Sequence, residues 1–363
     1  MFAELMEMFR GNAVEIPILQ PIIDALMGIP LVNFVVSFLL WKPLFAILFA
    51  PGLAALMVAM LFIIWFERKV TARVQWRYGP LEISRSLGGL IQPLADGMRY
   101  LFQEVIVHRE AHKPLFIQLP LLSFIPVLLP FLFIPAGTIY AIRTPYALPL
   151  IVALISLVPM LIVLIGWASN SKYAYLGSMR EVFMYFGYEV ALIVVVMAMV
   201  LMYGSADLIE IVEKQKSLPG ILFNPIACIA FFMVTAMATS RFPFEIPEAD
   251  QEVVFGPFIE YTGIMFGIVM TLGYEKLYLL SLLFSILFLG GWNGPTIAIL
   301  GDLSPALWLF LKTVVLMMMF VFLRTVYPRF RLDQAIKFGW TTLLSLSVIS
   351  LAVAAVIRLV GWL

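Results

Sequence analysis

Long apolar runs, separated by short polar segments, make up most of this 363-residue chain. A helix needs about 20 apolar residues to cross the hydrocarbon of a bilayer. Eight runs approach or exceed that length, and we predict a membrane-spanning helix in each. They lie near 44–66, 120–141, 146–167, 182–204, 221–240, 257–291, 304–323 and 339–361. The pattern therefore predicts an all-α, polytopic membrane protein with about eight transmembrane helices.

The N-terminal part of the chain is less regular than this pattern. The apolar stretch 31–42 either prolongs the first span or forms a ninth. Residues 1–30 mix acidic and apolar positions, which favours a surface-lying helix over a crossing. We therefore divide the chain into an N-terminal interfacial region, 1–30, and a single membrane domain, 31–363.

The sixth run is too long for a simple crossing. Thirty-five helical residues, 257–291, would measure about 52 Å, whereas the hydrocarbon core is about 30 Å thick. We expect this helix either to tilt strongly or to break, and the polar tetrapeptide Gly273-Tyr274-Glu275-Lys276 is where we predict the break. Interrupted backbone inside a membrane is tolerated where it faces protein or a watery cavity.

The composition agrees with a membrane protein and excludes several other classes. Hydrophobic residues make up 63% of the chain and charged residues 12%, about half the charged fraction of soluble domains. The net charge of +1 gives no indication of nucleic-acid binding. Cys228 is the one cysteine, and one thiol cannot hold an iron–sulfur cluster. Any redox centre must therefore belong to another polypeptide.

Basic residues predict the orientation of the helices. Four loops on one side of the eight-span arrangement carry fifteen Lys and Arg residues, against four in the loops and C-terminal tail of the other side. This is the bias of cytoplasmic loops. The cytoplasmic loops are 67–119, 168–181, 241–256 and 324–338. We therefore predict a multi-pass protein of the cell membrane with both chain ends outside.

Ionisable residues interrupt three of the predicted spans. They are Glu189 in the fourth, Glu275 and Lys276 in the sixth, and Lys312 in the seventh. A charge at the bilayer centre costs about 2.5–3.5 kcal/mol on insertion scales. Two interpretations stay open, a proton or ion relay and a set of interhelical ion pairs that fix packing. Lys276 has the further option of snorkelling to the interface.

The segment 241–263 concentrates acid in a chain with little charge. One base, Arg241, is followed by five carboxylates. They are Glu245, Glu248, Asp250, Glu252 and Glu260. Crowded carboxylates raise one another's pKa, so the loop could exchange protons or shift when a nearby charge changes. The alternative is a solvated acidic surface on which a neighbouring subunit docks.

The first cytoplasmic loop is basic instead. Glu67, Arg68 and Lys69 follow the first span directly, and a continuing helix would show Arg73 and Arg77 on one face before Gly79-Pro80 ends it. Residues 91–114 then read as an amphipathic interfacial helix, with Asp96 on its polar side. Taken alone, these basic residues have two interpretations: they orient the helices in the membrane, or they form a docking site for another subunit.

Self-contained catalysis is not predicted. The chain has no phosphate-binding GxxxxGK[ST], no HExxH and no plausible Ser/His/Asp arrangement. His108 and His112 have a metal-like i, i+4 spacing, but they lack a third convergent ligand, so we predict no metal site. The absence of internal repeats also disfavours a stand-alone secondary transporter.

Eight motifs in order across residues 62–340 carry a specific resemblance. They are FERKVTARVQWRYGP, QPLADGMRYLFQE, GWASNSKYAYLGSMREV, GYEVALIV, PFEIPEADQEVV, GPFIEYTG, LFLGGW and RFRLDQAIKFGW. This set resembles the heel subunit of complex I, the NADH dehydrogenase subunit 1 family. Relatives of that family occur in membrane-bound hydrogenase and in ferredoxin-dependent sulfur-reducing respiratory complexes.

The resemblance implies a place between a peripheral redox arm and the membrane arm. The expected partners are an iron–sulfur protein, a hydrogenase-large-subunit-like protein, small membrane subunits, antiporter-like subunits and the lipid bilayer. The expected cofactors are iron–sulfur clusters in the partners and none in this chain, with quinone as a possible ligand. The chain would be a non-catalytic subunit of an ion-translocating oxidoreductase.

The resemblance also assigns three groups of site residues. The implied ion relay comprises Glu181, Glu189, Glu260, Glu275 and Lys312. The implied acidic coupling loop comprises Arg241, Glu245, Glu248, Asp250 and Glu252. The implied docking site for the redox arm comprises Glu67, Arg68, Lys69, Arg73, Arg77 and Asp96.

The sequence departs from the quinone-linked pattern at two places. Many such members carry Glu-Thr-Asn-Arg before the acidic loop, where this chain has Ala238-Thr239-Ser240-Arg241. Between Arg143 and Lys172 there is no acidic residue, although respiratory members often have one. We therefore predict coupling in a quinone-free, ferredoxin-linked complex of the hydrogenase or sulfur reductase type. A quinone-site-forming subunit is the alternative, and a structural scaffold without an ion path is a further one.

Overall fold

The computed structural model describes residues 11–27, 30–83 and 85–361, and these residues form helices joined by turns, without a strand. Eight principal helices overlap the eight predicted spans, although the second overlaps its span only at 120–123, because it begins at Lys113, inside the predicted loop 67–119. They are α1 (Leu53–Val74), α2 (Lys113–Ser123), α3 (Ala147–Ala168), α4 (Lys172–Tyr203), α5 (Pro225–Ala238), α6 (Gly263–Phe288), α7 (Leu303–Val326) and α8 (Leu344–Val360). Shorter helices are Gln20–Met27, Pro30–Leu40, Lys42–Leu48, Gln92–Phe102, Ile125–Leu128, Leu208–Lys214, Gly220–Phe223, Asp250–Val253 and Leu332–Lys337.

Seven helical stretches of the described chain are long and apolar enough to cross a membrane, so the prediction of a polytopic helical membrane protein is confirmed. The remaining predicted span is shorter. Helix α5 has 14 residues, or about 21 Å. Asn224 sets its start, because its side chain accepts a hydrogen bond from the Ala227 N–H at 3.0 Å and donates one to the Ser350 carbonyl at 2.9 Å. Pro225 then occupies the first turn, where its missing N–H costs nothing.

The N-terminal prediction falls partly outside the described chain, namely at residues 1–10, 28 and 29. Within it, Gln20–Met27 is an apolar helix with no buried residue. The stretch 31–42 belongs mostly to a separate helix, Pro30–Leu40. The segment that precedes both helices contacts the end of Pro30–Leu40, since the Val14 N–H donates a hydrogen bond to the Leu40 carbonyl at 2.9 Å.

The predicted break in the sixth span is wrong. Helix α6 runs without interruption through Gly273 and Lys276. It is shorter than the apolar run because Gly256–Phe258 forms a separate 3-10 turn before it. Every residue from Glu275 to Phe288 is buried, so protein surrounds this half of the helix. Tyr274 and Lys276 hydrogen-bond to side chains of other helices and the backbone stays helical, while the Glu275 carboxyl group is buried without a hydrogen-bond partner in the described chain.

Helix α4 lies at the centre of the bundle and packs against α3, α5 and α8. Helix α6 packs against α1, α5 and α7. A π-helical turn, Phe338–Leu343, leads into α8 and touches α4 closely. A Cβ atom on Gly339 would lie 2.3 Å from the carbonyl oxygen of Gly187. Gly187 and Gly339 have no side chains, so they allow the two helical backbones to approach this closely.

We expect Gly339→Ala to destabilise the protein by about 1–3 kcal/mol, because the added methyl group must push a backbone carbonyl away. Thermal unfolding of the purified protein in detergent measures the effect. Gly97→Ala is the matched control: it also lies in a helix, and nothing lies within 4 Å of its would-be Cβ. Equal melting temperatures for the two variants would contradict the close-contact explanation.

Candidate functional site

Lys276 lies inside the bundle rather than at the interface. Its side chain is on α6 and the residue is 3% exposed, so the snorkelling alternative is wrong. The ammonium group donates a hydrogen bond to the hydroxyl of Tyr188 at 3.1 Å. Three carboxylates attract it electrostatically: Glu181 and Glu189 on α4, and Glu248 in the acidic loop. We name these four ionisable residues the Lys276 cluster.

The geometry of α4 places its two acids on the side of Lys276. Glu181 and Glu189 are eight residues apart, which is a little over two turns and about 12 Å along the axis. Both therefore point toward the same side of the helix. Tyr185 and Tyr188 lie between them, with their rings edge to face at 5.9 Å. The result is a polar strip along this part of α4.

A small cavity joins the acidic loop to this strip. Its volume is about 20 Å³, which is enough for about one water molecule. Its polar lining consists of Glu181, Thr239, Ser240, Glu248 and Lys276. The Ser240 hydroxyl donates to Glu181 at 3.4 Å. Ser240, which stands where many quinone-linked family members have an asparagine, thus contacts Glu181.

Two acids of the loop hold their protons unusually tightly. Burial raises the pKa of Glu245 to about 7, with a further increase from the charge of Glu248. Burial likewise raises the pKa of Glu248 to about 7, and Glu181 adds to it. Arg241 acts in the opposite direction on both. The sequence predicted crowding as the cause, whereas desolvation by the surrounding protein is the larger one.

Glu67 lies in the interior, so its assignment to an exposed docking site is wrong. It is 8% exposed, and one carboxylate oxygen accepts hydrogen bonds from Arg241 at 3.1 Å and from the Tyr274 hydroxyl at 3.2 Å. The other oxygen accepts from Arg324. Arg324 also pairs with Glu245 at 3.0 Å. These ion pairs, the Glu67 network, tie α1, α7 and the acidic loop together.

The outer part of the acidic loop is held by a second pair of arginines. Glu252 accepts hydrogen bonds from Arg180 on α4 and from Arg329, the latter at 2.6 Å. The hydrogen bond from Arg180 is the largest of the effects that lower the pKa of Glu252. Asp250 is exposed. The loop is therefore anchored through Glu245 and Glu252, while Asp250 and part of Glu252 stay exposed.

The two acids deepest in the spans have few partners. One carboxyl oxygen of Glu189 contacts the hydroxyl of Ser156 on α3, while the other is buried without a hydrogen-bond partner in the described chain. Glu275 is completely buried, and both of its carboxyl oxygens are likewise without a partner there. Glu275 lies on α6 next to Lys276 but is not among the acids that attract it.

Two residues of the implied relay lie away from the cluster. The Lys312 ammonium donates to the carbonyls of Leu289, Gly291 and Asn293 at 2.8, 2.8 and 2.9 Å. It thus neutralises the negative end of α6, which explains its charge without a carboxylate partner. Glu260 is partly exposed, in the turn before α6. The structure does not bring either residue to Lys276.

Helix α1 ends earlier than the sequence predicted. Helix α1 ends at Val74, so Arg73 is helical and Arg77 is not. Both arginines are exposed, together with Trp76 and Tyr78, whose exposed fractions are 99% and 83%. Basic and aromatic side chains that stand open in this way are typical of residues that a partner protein covers.

An open pocket of about 620 Å³ lies beside these residues. Its lining includes Arg68, Arg77, Tyr78, Glu82 and Gln92. Arg68 is fixed there by an ion pair with Asp96, on the helix Gln92–Phe102. Lys69 is partly buried. Of the implied docking residues other than Glu67, three lie in the last turns of α1, one in the loop after it and one on the helix Gln92–Phe102, in the order Arg68, Lys69, Arg73, Arg77 and Asp96.

The histidines pack against aromatic rings. His112 stacks on Trp167 at 5.0 Å, and His108 meets the Phe116 ring edge to face at 6.0 Å. No group of three or more His, Cys, Asp or Glu that could hold a metal occurs in the described chain.

Several residues of the site escaped the sequence reasoning. Arg180 and Tyr188 stand directly before Glu181 and Glu189, so adjacency to those acids was an available signal. Arg324 counted only as a topology signal, because its partners lie 257 and 79 residues away. Ser156 carried no signal in an apolar helix.

Comparison with known proteins identifies related chains. The family model described as NADH dehydrogenase matches residues 47–355. A subunit of the NADH-quinone oxidoreductase of Dehalococcoides mccartyi strain 195 is 35% identical over 299 residues, 82% of each chain. The subunit of the same name from Geobacillus sp. strain WCH70 is 35% identical over 316 residues, 86% of this chain and 94% of the relative.

A solved structure is also similar. A chain of the membrane-bound sulfane sulfur reductase, an archaeal respiratory membrane complex, superposes with a TM-score of 0.73. The two chains are 27% identical, and the match covers 83% of this chain and 96% of the other.

We expect Arg324→Ala to lower the free energy of unfolding by about 3 kcal/mol, because it removes the ion-pair partner of Glu245 and leaves Glu67 with Arg241 alone. This is the low end for breaking a buried ion pair, since the arginine side chain is 29% exposed. Denaturant unfolding in detergent measures it. Arg331→Ala, which breaks an exposed pair with Asp333, should cost less than about 1 kcal/mol. Similar losses in the two variants would contradict a buried network.

The raised pKa values of Glu245 and Glu248 predict a pH effect on stability. Between pH 4.5 and about 7 the folded protein binds more protons at these acids than the unfolded chain does, so stability falls as pH rises through this range. In Glu248→Gln the fall should be smaller by up to about 3 kcal/mol. Melting temperatures between pH 4 and 8 measure it. The outcome against this assignment is an identical pH dependence in the wild type and the variant.

Proposed function

The chain belongs to the NADH dehydrogenase family, and from this membership we propose a coupling function for it. It is a membrane-embedded subunit of a complex I-like respiratory complex. In the proposed function it anchors the peripheral redox arm of that complex. It also couples electron transfer in the arm to the translocation of protons or sodium ions through the membrane.

The observation that carries the proposal is a difference in charge balance between the two buried networks. In the Glu67 network, two carboxylates, Glu67 and Glu245, meet two guanidinium groups. In the Lys276 cluster, one ammonium faces three carboxylates. When every buried charge has a partner of opposite sign, adding or removing a charge costs several kcal/mol. The under-compensated cluster must instead bind protons or a cation to approach neutrality, which is the property that an ion relay needs.

The acidic loop supplies the connection to the redox arm. Glu245 and Glu248 titrate near neutral pH, so an electron arriving nearby would favour proton uptake there. Glu248 shares the small cavity with Glu181 and Lys276. A change in the protonation or charge of the loop thus changes the electrostatic potential at Glu181 and Lys276. Glu189, a little over two turns further along α4, is the next carboxylate inward.

The exposed first loop is the proposed docking surface. Arg73, Trp76, Arg77 and Tyr78 stand out from the end of α1, beside the 620 Å³ pocket. The proposed partners are the iron–sulfur protein and the hydrogenase-large-subunit-like protein of the arm, which carry the iron–sulfur clusters. Small membrane subunits and antiporter-like subunits would cover the lipid-facing helices. In this arrangement the loops lie in the cytoplasm and the membrane is the cell membrane.

We assign the complex to the quinone-free, ferredoxin-linked type. Ala238, in place of an expected acid, and the absence of an acid in α3 support this, as does the likeness to the sulfane sulfur reductase chain. The quinone-linked alternative is favoured by the names of the two bacterial relatives and by the pocket beside Arg68 and Arg77. Reduction of a soluble quinone by the purified complex, blocked by Arg77→Ala, would decide for the alternative.

Replacement of Glu189 separates coupling from a purely structural role. In proteoliposomes containing the purified complex, Glu189→Gln should lower ion uptake at least tenfold while electron transfer in the redox arm continues. Uptake and electron transfer are measured on the same preparation. Glu213→Gln, an exposed acid of the Leu208–Lys214 helix, is the control and should leave both unchanged. Normal uptake with Glu189→Gln would favour the scaffold.

A further inference from the structure

Ser156 joins α3 to the inner end of the Lys276 cluster. Its hydroxyl oxygen lies 2.9 Å from the carbonyl oxygen of Val152, one turn back on the same helix. It also contacts one carboxyl oxygen of Glu189. A serine hydroxyl has one hydrogen and can donate it to one acceptor at a time. The two contacts therefore cannot both have the serine as donor.

Two arrangements keep a hydrogen bond between Ser156 and Glu189, and they differ in the protonation of Glu189. Only the arrangement with a protonated carboxyl group makes the contact with the Val152 carbonyl a hydrogen bond as well. With an ionised carboxylate, Ser156 donates its hydrogen to Glu189. With a protonated carboxyl group, Glu189 donates to the serine oxygen, and Ser156 turns its own hydrogen to the Val152 carbonyl. A hydroxyl group is both donor and acceptor and can change between these roles by rotation.

Ser156 is the one group of the described chain that hydrogen-bonds to the Glu189 carboxyl. The second carboxyl oxygen is buried and has no partner there. The titratable groups that interact with Glu189 from α4 and α6 are Tyr185, Tyr188 and Lys276. They act through charge and not through a hydrogen bond, so they do not fix the orientation of the carboxyl group.

We propose that Ser156 is a positioning residue for Glu189, which holds the carboxyl group in one place in both protonation states by reversing the direction of one hydrogen bond. The inference rests on the proposed function, in which Glu189 changes its protonation state. Ser156 is not itself a link in the relay. Its second partner is a peptide carbonyl, which does not carry a proton onward, and no covalent bond at the serine forms or breaks.

Infrared difference spectroscopy of the purified complex between acid and neutral pH tests this. The carbonyl stretching band of protonated Glu189 is assigned by its loss in Glu189→Gln. Ser156→Ala should move this band and shift the pH midpoint of ion uptake by about one pH unit, because a hydrogen bond to a charged acceptor is stronger than one to a neutral group. Ser156→Thr keeps a hydroxyl that can reach the i−4 carbonyl, and it should restore both values.

Ser347→Ala is the matched control. Ser347 donates to the i−4 carbonyl of Leu343 at 2.8 Å and is buried, so it shares the backbone contact and should leave the band in place. An unmoved band in Ser156→Ala would overturn the inference, as would the absence of a Glu189 band over the whole pH range. Normal ion uptake in Glu189→Gln would instead remove the proposed function, while a band shift in Ser156→Ala would still establish the positioning.

Discussion

A charge inside an apolar helix bundle needs an opposite charge or polar hydrogen-bonding groups beside it, and this requirement shapes the interior of the protein. An unpaired ion in such an environment costs several kcal/mol. Glu67 pairs with the guanidinium groups of Arg241 and Arg324, which lie 174 and 257 positions away from it along the chain. Helix α1, helix α7 and the acidic loop are thereby held at one point. The close crossing of α4 with the turn before α8, at Gly187 and Gly339, then completes the frame.

The same requirement is only partly met around Lys276. Its ammonium group interacts electrostatically with three carboxylates on α4 and the loop, and it donates a hydrogen bond to Tyr188. In the Glu67 network, by contrast, each carboxylate has a guanidinium partner. The proposed coupling function rests on this difference in charge balance.

The sequence reasoning failed where a side chain's surroundings mattered more than its identity. It expected a break in α6 at Gly273, but the buried half of that helix has protein on all sides and needs no break. It assigned Glu67 to the docking site from the family resemblance, whereas the side chain is buried. It added Lys312 to a relay, although that lysine donates hydrogen bonds to three carbonyl groups at the end of α6. In each case the contacts of the side chain in the folded protein could not be read from its place in a motif or an apolar run.

The sequence by itself determined that the chain is a helical membrane protein, where its helices lie and which segment concentrates acid. These properties are local, because about 20 successive apolar residues suffice to specify a span. Only the tertiary structure decided which charges meet. The distance between helices depends on close contacts such as that of Gly339, and the partners of Lys276 lie on other elements. Electrostatic interaction falls with distance in space and is insensitive to separation along the chain, so pairing had to be seen in the folded protein.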